Sequence, residues 1–234
     1  MIPLEDTCRR PYGQRNPGRF DFRDARSFGY SPFRHAGQSR VASANASPVG
    51  VRRRLIERGF ARQGAPLDGP RTDALVRDFL VHYEAHIADE SRLFPGALAA
   101  LDRFRAAGFR LAVCTNKPEP LARLLLQKLS AADRFAAICG RGSFPMHKPD
   151  PHTLWLTIEA ADGDPRRAVM VGDSKTDIDT ARAAGTPSVA VDFGYTDTPV
   201  AAFSPDRVIS HFDELWDAVA SLDAALFAAA PYST

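Results

Sequence analysis

Cysteine and long apolar runs are both scarce in this chain of 234 residues. Only Cys8, Cys114 and Cys139 are present, without a Cys-x-x-Cys pair, so the sequence offers no disulfide framework. No stretch approaches the roughly 20 consecutive apolar residues of a membrane span, and the first residues lack the apolar core of a signal peptide. We therefore expect a cytoplasmic protein that is neither secreted nor inserted into a membrane.

Aliphatic side chains are almost absent from residues 1–48, where Ile2, Leu4 and Val41 are the only Ile, Leu or Val residues. Eight Arg, five Pro, four Gly and five Ser occupy much of the same stretch. Such a composition buries too little apolar surface to offset the entropy lost when a chain is ordered. We expect this segment to be irregular or disordered.

Positive charge is concentrated in residues 1–62, which carry 13 Arg against 5 acidic residues, a net charge of +8, whereas the remainder carries −6. A basic arm for nucleic acid is one interpretation of this asymmetry. The arginines are scattered among Pro, Gly and Ser, however, without helical spacing or an aromatic platform for bases. The pattern therefore favours a protein without a nucleic-acid partner.

A helical pattern begins at Val49. Apolar residues recur at helical spacing over Val51–Phe60, and a second helix is predicted from about Thr72 to Ala88. These two helices predict a small helical unit over residues 49–90. Pro95 and Gly96, near the start of the next segment at residues 91–227, then interrupt the helical pattern.

Short apolar strands and helices alternate strictly in the second half of the chain. The predicted strands are Arg110–Thr115, Phe135–Gly140, Ala168–Asp173 and Pro187–Asp192. Helices are predicted over Leu121–Leu129, Pro151–Ala160, Thr176–Ala184 and Phe212–Phe227. Continuous apolar strands separated by helices are typical of a parallel sheet that is covered on both faces. The sequence therefore predicts an α/β fold with a doubly wound parallel sheet.

Polar residues collect at the predicted carboxyl ends of the strands, where such sheets bind ligands. Thr115 and Asn116 can bind a phosphate before a helix, although the pair also suits a simple turn or cap. Lys148, one of only four lysines, lies in a proline-rich loop. Its side chain could bind an anion, or it could simply be exposed to solvent, as loop lysines usually are. Asp173 and Asp177 offer the hard oxygens that Mg²⁺ prefers, whereas capping of the next helix is the simpler interpretation.

Three segments together resemble the signatures of the haloacid dehalogenase superfamily. They match the family's second, third and fourth signatures in order and spacing: the strand ending at Thr115, Lys148-Pro149-Asp150-Pro151, and Gly172-Asp173-Ser174-Lys175-Thr176-Asp177. Phe94-Pro95-Gly96 and Thr115-Asn116-Lys117 are similar to the phosphoglycolate phosphatase branch. The resemblance covers about residues 50–221. It implies a Rossmann-like core at residues 91–227 and a reduced helical cap at residues 49–90.

The resemblance implies a two-step phosphoryl transfer, in which an aspartate attacks phosphorus and water then hydrolyses the aspartyl-phosphate. It assigns the binding of a phosphoryl oxygen to Thr115, with Asn116 in support, and the neutralisation of charge to Lys148. Asp173 would bind Mg²⁺, and Asp177, the second candidate residue of the metal site, would orient Lys148 or a metal-bound water. The implied substrate is a small phosphorylated metabolite.

The family's first signature, an apolar strand followed by Asp-x-Asp-x-Thr, is not recognisable upstream. The closest string, Phe20-Asp21-Phe22-Arg23-Asp24, has its acids three apart and lacks the apolar strand. A frame shift in an arginine-rich gene would produce the abrupt change near Val49, and we hold this as a hypothesis for residues 1–48. We therefore expect an impaired phosphomonoester hydrolase. An inactive phosphate-binding protein and a hydrolase of another small phosphomonoester are the alternatives.

Overall fold

The computed structural model describes residues 56–62, 64, 67–194, 196 and 198–222. These residues fall into two units, one up to Asp89 and the other from Glu90 onward. The segment predicted to be irregular, residues 1–48, lies outside the described residues, as do the start of the first predicted helix and the end of the last. No helix in the described ranges combines the length and the apolar character needed to cross a membrane.

Helices make up most of the described part of the first unit. Residues 56–62 are helical, and helix α1 follows at Gly69–Ala85. Asp68 caps α1, because its carboxylate accepts a hydrogen bond from the backbone N of Arg71 at 2.8 Å. The helix therefore begins before the predicted Thr72, since its cap lies upstream of the apolar pattern.

The second unit alternates strands and helices as the sequence predicts. In chain order it contains α2 (Ala97–Ala106), β1 (Ala112–Pro118), α3 (Glu119–Lys128), β2 (Ala137–Arg141), α4 (Pro151–Ala160), β3 (Met170–Gly172), α5 (Lys175–Ala184), β4 (Ser188–Val191), β5 (Arg207–Ile209) and α6 (Leu215–Leu222). The bounds of α4 agree with the prediction, whereas each of the other predicted elements differs from it at one end or both. A 3₁₀ turn at Phe212–Glu214 replaces the start of the last predicted helix.

All five strands pair in parallel, in two groups. β1 pairs with β2, and β4 lies between β3 and β5. Within the described part of the chain, β1 and β3 are not hydrogen-bonded to each other. The prediction of four strands missed β5, because Arg207 and Val208 are exposed and the strand lacks a continuous apolar run.

Helices cover both faces of the β3–β5 group, because alternate residues of a strand point to opposite faces. Met170 packs with residues of α4 and α5, and Ala190 packs with a residue of α5. The opposite face packs against α2, α6 and the turn before α6, in a cluster formed by Ala97, Leu101, Phe104, Val171, Val189, Val191, Ile209, Phe212, Leu215 and Val219. The doubly wound parallel fold is therefore confirmed.

The end of β1 is irregular. Its register with β2 is regular through Cys114, opposite Cys139, and shifts before Pro118. Because β1 runs to Pro118, the predicted strand end at Thr115 was wrong. Thr115 and Asn116 lie within this irregular part of the strand rather than in a turn after it.

Candidate active site

The irregular end of β1 is tied to the loop that carries Lys148. The side-chain Nδ2 of Asn116 donates to the main-chain oxygen of Lys148 at 3.0 Å. Thr115 is half-buried, and its Oγ1 accepts from the backbone N of Lys117 at 3.1 Å. Two of the three predicted segments therefore meet, although the hydrogen-bonded residues lie 32 positions apart in the chain.

Lys148 forms a buried ion pair with Asp177. Its Nζ donates to Oδ1 of Asp177, and each of the two side chains is 9% exposed. Burying either charge alone would be costly, and the pair is tolerated because each charge faces its opposite. The contact joins the loop before α4 to the first turn of α5, so the third predicted segment meets the other two.

Burial and charge act in opposite directions on this pair. Burial by itself lowers the pKa of Lys148, but the Asp177 carboxylate, with a smaller contribution from Asp173, raises that pKa above its ordinary value. Burial by itself raises the pKa of Asp177, but the Lys148 ammonium and hydrogen bonds from Ser174 bring that pKa below its ordinary value. Both groups therefore stay charged at neutral pH, and Lys148 supplies a fixed positive charge.

The second carboxylate oxygen of Asp177 is held by the start of α5. Oδ2 accepts from the backbone N of Asp173 at 3.3 Å, the backbone N of Ser174 at 3.2 Å and the Ser174 hydroxyl at 2.8 Å. The Ser174 hydroxyl in turn accepts from the backbone N of Asp177, which completes a capping box. Both oxygens of Asp177 are thus engaged within the protein. This geometry favours the orientation of Lys148 over metal binding as the role of Asp177.

Gly172 leaves the space that the Asp177 carboxylate occupies. A Cβ at this position would lie 2.4 Å from the Cβ of Asp177 and 2.7 Å from its Oδ2. A side chain here would displace the group that holds Lys148. The sequence marks Gly172 only as part of a signature, and its steric role depends on the close approach seen in the structure.

Asp173 directly follows β3 and is 3% exposed. Its charge contributes to the raised pKa of Lys148, so the carboxylate acts on the same ammonium that Asp177 holds. One buried carboxylate, together with a substrate phosphate and waters, is a donor set that Mg²⁺ accepts. Among the described residues, no group of three or more His, Cys, Asp or Glu side chains is arranged to hold a metal ion. A Mg²⁺ ion at Asp173 would therefore take its other ligands from substrate, water or the rest of the chain.

Cys114 and Cys139 lie opposite each other on β1 and β2. Both are buried free thiols, and Sγ of Cys114 donates to the main-chain oxygen of Thr153 at 3.8 Å. Burial raises the pKa of both thiols, so they remain protonated and pack as small apolar side chains. The two cysteines therefore contribute to the core and not to the chemistry of the site.

Gly140 of β2 supports the irregular end of β1. A Cβ at Gly140 would lie 2.4 Å from the main-chain oxygen of Lys117 and 2.7 Å from the backbone N of Glu119. Because these are backbone atoms, the end of β1 would have to shift as a whole. A substitution at Gly140 therefore acts on the position of Thr115 and Asn116.

We expect Gly140→Ala to lower the free energy of unfolding by about 1–3 kcal/mol, as overpacking of a closely packed site does. We also expect it to weaken phosphate binding, and chemical denaturation and phosphate titration measure the two effects. Gly59→Ala is the control, since a Cβ at Gly59 meets no atom within 4 Å. Equal effects of the two substitutions would contradict the supporting role of Gly140.

Comparison with known proteins identifies the family. A family model described as a haloacid dehalogenase-like hydrolase matches residues 23–185. A phosphoglycolate phosphatase of Mesorhizobium japonicum is 52% identical over 161 residues, which cover 69% of this chain and 71% of that protein. A phosphoglycolate phosphatase of Agrobacterium fabrum is 46% identical over 165 residues, which cover 70% of this chain and 71% of that protein.

Solved structures share the fold. A predicted phosphoglycolate phosphatase from Haemophilus somnus superposes with a TM-score of 0.68 at 26% identity, covering 74% of this chain and 77% of that one. CbbY from Rhodobacter sphaeroides, solved in complex with phosphate, gives a TM-score of 0.57 at 27% identity, covering 70% of this chain and 74% of that one. The chain therefore belongs to the haloacid dehalogenase-like hydrolase family, and within that family its similarity is to the phosphatases.

Proposed function

We propose that this chain carries the phosphate-binding and metal-binding half of a Mg²⁺-dependent phosphomonoester hydrolase of the phosphoglycolate phosphatase type. The observation that carries the proposal is the buried ion pair of Lys148 and Asp177, with the charge of Asp173 acting on the same ammonium. A fixed cation beside a carboxylate, at the carboxyl ends of parallel strands, suits a phosphate monoester and its metal. The names of the relatives support a small phosphorylated metabolite as the substrate.

Each described residue of the proposed site has its own role. Thr115 and Asn116 hold phosphoryl oxygens, and Lys148 neutralises the negative charge of the transferring group. Asp177 is a positioning residue for Lys148, because hydrogen bonds engage both of its oxygens. Asp173 holds Mg²⁺, which supplies further neutralisation of phosphate charge when it is bound.

The proposed hydrolase lacks a recognised nucleophile. A covalent aspartyl intermediate needs a carboxylate in line with phosphorus. Asp21 and Asp24, the upstream candidates, have no strand context in the sequence and lie outside the described residues. We therefore propose that the chain is impaired, that residues 49–90 are the remnant of a helical cap, and that residues 1–48 come from a shifted coding frame.

Sequencing the gene tests the frame-shift proposal. One of the two alternative frames upstream of Val49 should encode an apolar strand followed by Asp-x-Asp. If neither frame does, the frame-shift proposal is wrong.

A panel of phosphomonoesters tests the substrate with the frame-restored protein. We expect Mg²⁺-dependent hydrolysis of 2-phosphoglycolate. Turnover of another small phosphomonoester with phosphoglycolate left intact would refute the substrate but not the reaction class.

A cytoplasmic location belongs to the same proposal, supported by the two buried free thiols.

A catalytically inactive phosphate-binding protein is the second candidate function. It is favoured by the combination of a complete Lys148–Asp177 pair with a missing first signature. It differs from the first candidate in one measurable respect. An inactive phosphate-binding protein binds phosphate and Mg²⁺ without turnover. This result would hold even if sequencing shows that the gene has no shifted frame.

A further inference from the structure

The loop after β4 lies against the side chain of Asp173. Gly194 stands at the contact: a Cβ built there would lie 2.3 Å from the Cβ of Asp173, 2.6 Å from its Oδ2 and 2.9 Å from its Cγ. Real Cβ atoms do not approach other atoms this closely, so the main chain at Gly194 touches the Asp173 side chain across the space that a Cβ would fill. The backbone of this loop is therefore one wall around the Asp173 carboxylate.

An aromatic cluster holds the loop in place. The Phe193 ring packs edge-on against Phe94, with centroids 5.2 Å apart, and against Phe212, also at 5.2 Å. Phe212 is itself fully buried in the main core. Such aromatic pairs stabilise one geometry over others. Phe193, the residue before Gly194, is therefore anchored to the core.

From these contacts we infer that Gly194 is a positioning residue for the metal site, because it fixes the orientation of the Asp173 carboxylate. The inference rests on the proposed function, in which Asp173 holds Mg²⁺. Metal-binding carboxylates depend on neighbours that orient them, since a small rotation moves the donor oxygen away from the metal. Gly172 lies against the Asp177 side chain in the same way, so each of the two buried carboxylates is in contact with a glycine.

A purely structural role for Gly194 predicts a different outcome from a positioning role. If the glycine only allowed close packing, its replacement would lower stability and leave Mg²⁺ affinity unchanged once the protein is folded. If it orients Asp173, replacement lowers Mg²⁺ affinity at temperatures where the variant remains folded. Affinity measured well below the unfolding temperature therefore separates the two roles.

Gly194→Ala in the full chain is the direct test, with Gly163→Ala as the matched control. A Cβ at Gly163 would also overlap its surroundings, at 2.8 Å from Cγ2 of Ile158, but Gly163 follows the far end of α4. Calorimetric titration with MgCl₂ is the measurement, alongside thermal unfolding. We expect Gly194→Ala to weaken Mg²⁺ binding by about 10-fold to 100-fold, the range seen when an orienting neighbour of a metal ligand is changed. We expect Gly163→Ala to bind Mg²⁺ like the parent chain.

Phe193→Leu keeps the test decisive if Gly194→Ala does not fold. It loosens the anchor without adding a Cβ beside Asp173, and we expect a smaller loss of Mg²⁺ affinity in the same direction. If a folded Gly194→Ala protein binds Mg²⁺ like the parent, the positioning role of Gly194 is wrong but the assignment of Asp173 is unaffected. The same conclusion follows from parent-like Mg²⁺ binding in Phe193→Leu if Gly194→Ala does not fold. A parent chain that binds no Mg²⁺ would overturn the assignment of Asp173 as well, and with it the metal-dependent function.

Discussion

Lys148→Met is expected to lower the free energy of unfolding by about 3–5 kcal/mol, because it leaves the Asp177 carboxylate buried and without its cation. Both side chains are almost fully enclosed, so water cannot replace the lost ammonium without opening the site. Chemical denaturation of the purified chain measures the effect. The double variant Lys148→Met with Asp177→Leu removes both charges, and we expect it to recover much of the loss.

Lys175→Met is the matched control for that result. Lys175 pairs with Asp179 one turn along α5, and its side chain is 64% exposed. Exposed pairs of this spacing contribute about 0.3–0.5 kcal/mol, so we expect a change of that size. Equal losses in Lys148→Met and Lys175→Met would show that the Lys148 pair is not buried as described.

The chain as it stands is expected to release phosphate from 2-phosphoglycolate at least about 1,000-fold more slowly than its Mesorhizobium japonicum relative, since removing a nucleophile costs this much or more. In the proposed function, Thr115, Lys148 and Asp173 position phosphate and neutralise its charge, and a chain without a nucleophile does not form the covalent intermediate. Phosphate release in the presence of Mg²⁺, with both proteins assayed side by side, is the measurement.

Variants of the two upstream acids separate a true defect from a disguised first signature. We expect Asp21→Asn and Asp24→Asn to leave any residual turnover unchanged. Robust turnover in the parent that disappears in either variant would show that the N-terminal segment supplies the nucleophile. In that case the frame-shift hypothesis would also be wrong.

The sequence predicts the fold well where burial is continuous. β3 and β4 are buried at every position. α4 has a proline in its first turn and an aspartate cap, so its bounds could be found from the residues alone. β5 was missed because it pairs through its backbone at the exposed side of the group, where Arg207 and Val208 carry no apolar signal. The start of α1 was missed because the cap at Asp68 precedes the apolar pattern.

The candidate site residues were predicted by their chemistry, but the contacts that bring them together could not be predicted from the sequence. A spacing of four places Asp173 and Asp177 near each other, and it does not reveal that Lys148, 29 positions away from Asp177, takes one of the Asp177 oxygens. The roles of Gly140, Gly172 and Gly194 depend on interatomic distances that a single glycine in a sequence does not signal.

Titration of inorganic phosphate into the purified chain, with and without Mg²⁺, is the most direct test of whether the described residues form a phosphate and metal site. We expect phosphate binding that Mg²⁺ strengthens, and that weakens by about 10-fold or more in Thr115→Val and in Asp173→Asn, since each loses a hydrogen bond or a metal ligand. Lys175→Met should bind phosphate like the parent. No phosphate binding in the parent, or binding that Thr115→Val and Asp173→Asn leave unchanged, would contradict the assignment of this site.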